Sequence, residues 1–119
     1  MKSVRPVAAS VGTLAISLVI STAMHGDADA QGDVKAGREK ARICEPCHGL
    51  DGLSKIVEAP SIAGQNEPYL IEQLNAFKSG ERKNEMMSLV APTLSPKDIE
   101  DLAAYYAAVE VAIKKLPGQ

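Results

Sequence analysis

Cys44-Glu45-Pro46-Cys47-His48 is the stretch that decides how this chain is read. Two residues between the cysteines set their thiols on opposite sides of one turn, and the next residue brings an imidazole up between them. That spacing is the attachment signature of a c-type haem, in which the thiols bond the porphyrin and the histidine takes the iron. Cys44 and Cys47 are thus expected to hold one haem c covalently, with His48 as an axial metal ligand. A bare Cys-x-x-Cys also serves as a thioredoxin-type redox pair or half of a zinc site. Zinc needs a fourth ligand, and beyond these three the chain offers only His25, in a segment expected to be removed. A dithiol oxidoreductase needs strands alternating with helices, and no stretch here keeps a two-residue alternation.

Upstream, residues 1–30 read as a cleaved secretory signal peptide. Lys2 and Arg5 make a positive start, Val7 to Met24 is uncharged, and Ala28-Asp29-Ala30 puts small residues where a signal peptidase cuts. The uncharged run has a membrane anchor as its alternative. It is diluted by Ser10, Gly12, Thr13, Ser17, Ser21 and Thr22, so cleavage after Ala30 is expected. The mature chain is then residues 31–119, one haem-binding domain of the bacterial periplasm, with no membrane segment. Met24 and His25 leave with the leader.

Composition agrees with a cofactor-filled core. Three tyrosines, one phenylalanine and no tryptophan are few aromatic residues, although an ordinary alanine-rich helical domain shows the same scarcity. Both cysteines belong to the motif, leaving none for a disulfide. The formal net charge is −2, and a nucleic-acid binder would carry a basic surplus. The expected partners are redox proteins, with the chain a monomer or weak dimer.

Downstream and upstream of the motif, three helical stretches are expected, and the fold class is all-α. The first follows Asp33 as N-cap, with Val34, Gly37, Ala41 and Cys44 on one face. The second opens near Asn66 with Pro68 in its first turn, carries Leu70, Leu74 and Phe77, and stops at Ser79-Gly80. The third opens at Ser95-Pro96-Lys97-Asp98, close to a capping box. It carries Ile99, Leu102, Tyr106, Val109 and Ile113 until Pro117-Gly118 ends it. Two loops, Gly49 to Gln65 and Gly80 to Leu94, are left to close over the haem. The second holds Met86 and Met87, and a thioether there suits the iron face opposite the histidine. Spacing alone does not choose between them.

With these pieces in place, the stretch from Gly32 to about Val109 resembles a class I cytochrome c, above all one haem domain of the small bacterial c-553 and c-four type. The matching residues are Gly32-Asp33 with Gly37, the haem motif followed by Gly49 and Asp51-Gly52, and Pro60-Ser61-Ile62-Ala63-Gly64-Gln65. Further matches are Tyr69-Leu70, Gln73-Leu74, Phe77-Lys78, Gly80, Arg82, the paired methionines, and Leu94-Ser95 through Asp98-Ile99 to Leu102-Ala103-Ala104-Tyr105. The resemblance implies the class I cytochrome c fold and picks Met87 as second axial ligand, seven residues before Leu94. It implies that Pro60 offers its carbonyl to the Nδ1 proton of His48 and that Arg82 lies near a haem propionate. Gly37 and Tyr105 would mark the crossing of the first and last helices. Two-haem relatives repeat the domain, whereas this sequence carries one haem motif.

The expected function is a soluble periplasmic single-electron carrier, not an enzyme, with His48 and Met87 on the iron. Two alternatives stay open: a haem subunit of a larger periplasmic oxidoreductase, and a haem enzyme or gas-binding sensor with an open sixth position.

Overall fold

In a computed structural model of the chain, residues 32–118 are described. The leader expected over residues 1–30, with Met24, His25 and the cleavage site, lies outside the described residues. Those residues form helices and connecting loops, with no strand among them.

Helix α1, Val34–Lys40, begins where Asp33 accepts a hydrogen bond from the Ala36 N–H at 2.9 Å. The sequence suggests one helix running on to Cys44. The structure instead tightens to a 3-10 turn over Ala41–Ile43 and restarts as α2, Glu45–His48. Pro46 is the reason: it has no N–H for the carbonyl four residues back, and its ring crowds that carbonyl. The haem motif is therefore a helical turn of its own, capped by Gly49.

The second expected helix is found as α3, Glu67–Ser79. Asn66 caps it by accepting from the Tyr69 N–H at 3.2 Å, and Gly80 ends it in the left-handed conformation. Between Gly80 and Leu94 lies α4, Met87–Val90, followed by a 3-10 turn over Ala91–Thr93. The last helix is α5, Pro96–Ala107, with the Ser95 and Asp98 capping box complete.

Helix α5 stops well short of Pro117. The Tyr106 carbonyl, which would continue the ladder, accepts from the Gly64 N–H at 2.9 Å and from the Val109 N–H at 3.3 Å. A loop donor thus takes the place of the next helical turn, and the β-branched residues beyond give little reason to resume it. Val111 and Ile113 are exposed rather than continuing the apolar stripe.

The core gathers where α1 and α3 pack on α5. Ala41, Leu70, Leu94, Ile99, Leu102, Ala103 and Tyr106 form one buried cluster, with Cys44, Leu50, Ile62, Ile71, Leu74 and Tyr105 against it. Gly37 stands at the α1–α5 crossing. A Cβ there would lie 1.9 Å from the Asp101 carbonyl oxygen and 2.7 Å from the Tyr105 Cβ, so only glycine lets the helices approach this closely. The crossing at Gly37 and Tyr105 implied by the resemblance is found.

An ionic clip holds the same crossing. Asp101, 1 % exposed, accepts from the Asp33 N–H and from Lys40 and Lys97, each at 2.7 Å. Lys40 also pairs with Asp98 at 2.7 Å. Burial pushes the Asp101 carboxyl up, but hydrogen bonds from Lys40, Lys97 and the Asp33 N–H outweigh it and hold the group well below the usual carboxylate range.

Candidate functional site

Helix α2 carries all three motif side chains in one turn. Neither Cys44 nor Cys47 is in a disulfide, and both are half-buried. Burial pushes the Cys44 thiol up to about 11, so at neutral pH it is protonated in the folded chain. His48 is 8 % exposed. Its Nδ1 lies 2.8 Å from the Pro60 carbonyl oxygen. A carbonyl only accepts, so Nδ1 donates its proton to it, and Nε2 is the nitrogen left to face a metal.

The loop after α2 is built to bring that carbonyl back. The Lys55 N–H donates to the Cys47 carbonyl at 2.9 Å, and the Gly52 carbonyl accepts from Ile62 and Ala63 at 2.8 and 3.1 Å. Gly52 has a φ of +71°, and a Cβ on it would lie 2.7 Å from Ala63 backbone atoms. Glycine thus permits both the turn and the close approach that folds residues 52–63 back under the histidine. Two tyrosines of α5 secure the start of the loop. Tyr106 donates its hydroxyl to the Gly49 carbonyl at 3.0 Å, and Tyr105 donates to the Leu50 carbonyl at 2.7 Å. Their rings meet edge to face with centroids 5.1 Å apart. The sequence gives no local sign of these hydroxyl bonds, which link residues 55 and 57 positions apart.

Met87 opens α4 and is half-buried, while Met86 before it is 55 % exposed. Helix α4 packs on α3, not directly beside the motif in the chain. Arg82 is held on α3: its guanidinium donates to Gln73 at 2.5 Å and lies 4.6 Å over the Phe77 ring. A shallow concavity along that helix is lined by Glu72, Gln73, Ala76 and Arg82 and includes no motif residue. The structure therefore joins Cys44, Cys47, His48 and Pro60 into one unit and places Met87 and Arg82 on the α3 side.

The donor set suits a covalently held haem. Two unpaired thiols and an imidazole whose Nδ1 is tied to a carbonyl share one turn. Ile43 and Leu53, which flank the motif, are about half exposed and leave apolar surface beside it. The buried apolar residues include four alanines, Ala41, Ala91, Ala103 and Ala104, a small core that a large flat group would complete. Among the described residues no three His, Cys, Asp or Glu side chains converge as a metal cluster. No helix there is long and apolar enough to cross a membrane.

A family model described as Cytochrome c matches residues 34–109. The chain is similar to cytochrome c4 of Pseudomonas aeruginosa, 39% identical over 100 residues that cover 84% of this chain and 50% of that protein. It is 39% identical over 82 residues to cytochrome c-554(548) of Halomonas halodenitrificans, covering 66% of this chain and 99% of that one. Its fold is similar to the crystal structure of reduced recombinant cytochrome c4 from Pseudomonas stutzeri. That match has a TM-score of 0.61 and 40% identity, and covers 65% of this chain and 45% of the other. The chain spans about half the length of the cytochrome c4 relatives it matches.

Proposed function

The chain belongs to the cytochrome c family and holds one haem c through Cys44 and Cys47, and we propose that it is a one-electron carrier of the bacterial periplasm with His48 and Met87 as axial ligands. When bound, the haem supplies the redox chemistry, its iron passing between ferric and ferrous states. The chain's residues set the terms. His48 offers Nε2 with its ring plane fixed, because Nδ1 is tied to Pro60, and that tie raises the ligand's basicity. Met87 offers a soft thioether, which favours the less charged state and raises the potential. The thioether has no proton to exchange, and Nδ1 keeps its proton while donating it to the Pro60 carbonyl, so neither ligand has to move a proton when an electron is transferred. Arg82, over Phe77, supplies a guanidinium for a propionate.

In this reading residues 1–30 are the export leader and 31–119 the mature domain, and partners are redox proteins that dock transiently across a small interface. The observation that carries it is the buried His48 in the attachment turn with its Nδ1–H donating to the Pro60 carbonyl. Mass spectrometry of the denatured protein from the periplasmic fraction tests it together with a reductive titration. The reading expects the mass of residues 31–119 plus one haem, and uptake of one electron. A haem lost on denaturation, or a leader still attached, would overturn the corresponding part.

A further inference from the structure

The turn that carries the two methionines is held by a residue with no part in the attachment motif. Asn84 Oδ1 accepts from the backbone N–H groups of both Met86 and Met87, each at 3.0 Å. The same residue closes a second ring with Ser88. The Asn84 N–H donates to Ser88 Oγ at 3.0 Å, and the Ser88 N–H donates back to the Asn84 carbonyl at 3.0 Å.

That amide matters because α4 has little else to hold it. It is a single turn of four residues with no buried member, and Met86 before it has no capping side chain. One turn fixes several dihedrals for few hydrogen bonds and does not stand alone. Among the described residues, its hydrogen bonds to α3 lie at the two ends of the segment. The Arg82 N–H donates to the Ala76 carbonyl at 3.0 Å, and Lys78 Nζ donates to the Pro92 and Leu94 carbonyls at 3.2 and 2.5 Å. Between those straps, Asn84 sets where the Met87 backbone lies. A carboxamide does this without carrying a charge and without titrating.

We propose that Asn84 is the positioning residue for the Met87 thioether, holding the methionine turn ordered so that the ligand meets the iron at little entropic cost. This rests on the reading of Met87 as axial ligand. A ligand on an ordered turn competes better against an external one, since the ordering cost is already met.

Imidazole binding to the ferric holoprotein, followed in the visible spectrum, reads that competition. Asn84→Ala is expected to bind imidazole about five- to tenfold more tightly than wild type, the factor that corresponds to loss of one helix cap. Asn84→Asp keeps the acceptor and is expected to return within about twofold of wild type. Asn66→Ala removes the same kind of cap from α3 and is expected to lower thermal stability while leaving imidazole affinity unchanged. An Asn84→Ala affinity equal to wild type, or a gain matched by Asn66→Ala, would overturn the proposal. Met87→Ala separates the two readings. If it opens the iron to imidazole while Asn84→Ala does not, the positioning role alone falls; if it binds imidazole no better than wild type, the ligand reading falls and takes the positioning role with it.

Discussion

His48 Nδ1 is hydrogen-bonded to the carbonyl of Pro60, twelve residues further along the chain, at 2.8 Å. The bond does two things at once. It ties the attachment turn α2 to the folded-back loop, and it leaves Nε2 as the nitrogen free to face a metal. Proline keeps its φ near −65° and so holds that carbonyl's direction.

Pro60→Gly should therefore weaken the bond without removing its acceptor. A less basic imidazole stabilises the ferric state less, so the reduction potential should rise, by about 20 to 40 mV for a hydrogen bond worth about 0.5 to 1 kcal/mol. Protein-film voltammetry checks the sign. A fall in potential would show that the carbonyl does not tune the ligand.

Gly37 gives a test whose sign separates two physical accounts. If the glycine merely weakens α1, Gly37→Ala should stabilise the protein by about 1 kcal/mol. The 1.9 Å approach to the Asp101 carbonyl demands the opposite, since α1 and α5 must move apart. A loss of about 2 kcal/mol or more is expected, read from the urea midpoint at unchanged slope.

Asp101 should be the acid-sensitive point of the frame. Its carboxyl is held below its unfolded value near 3.9, so its contribution is complete above that value and is lost as pH falls through the lower folded one. Asp98, lowered to about 2 by Lys40 and Ser95, adds to the same trend. Unfolding by urea should show stability falling below about pH 4, and Asp101→Asn should flatten that fall while lowering stability at pH 7. Asp101→Ala, which leaves the part-buried Asp33 N–H without its acceptor, should cost about 1 to 3 kcal/mol. An unchanged acid profile in Asp101→Asn would place the acid sensitivity elsewhere.

Much of this was legible from short-range signals. Asp33 and Ser95 were readable as caps because each satisfies a donor three residues ahead, and the haem motif is contiguous. Long-range partners were not. Asp101 reads as an ordinary exposed acid among charged neighbours, and its burial depends on Lys40 and Asp33, 61 and 68 positions away. The end of α5 is hidden in the sequence because Val109 and Ile113 keep the helical spacing, while the Gly64 N–H that takes the Tyr106 carbonyl comes from a distant loop. Pro46 does announce the break before α2, had its missing N–H been weighed against the apolar face. Asn84 is of a residue type that accepts from backbone N–H groups two and three residues ahead, but a single turn has no apolar period to draw attention to it.

Met86 and Met87 should differ sharply. Met87→Ala is expected to convert the ferric haem to high-spin or water ligation and to lower the potential, whereas Met86→Ala, at an exposed position, should leave both nearly unchanged. Electron paramagnetic resonance of the two variants checks this, and the reverse pattern would move the ligand to Met86.

The absorption spectrum of the periplasmically expressed protein, oxidised, then reduced, then exposed to carbon monoxide, bears most directly on the proposed His48 and Met87 ligation. A low-spin spectrum with the near-red band of methionine sulfur on ferric iron, and no shift with carbon monoxide, is the predicted result. A high-spin spectrum that shifts with carbon monoxide would contradict it and mean an open sixth position, as an enzyme or gas sensor requires.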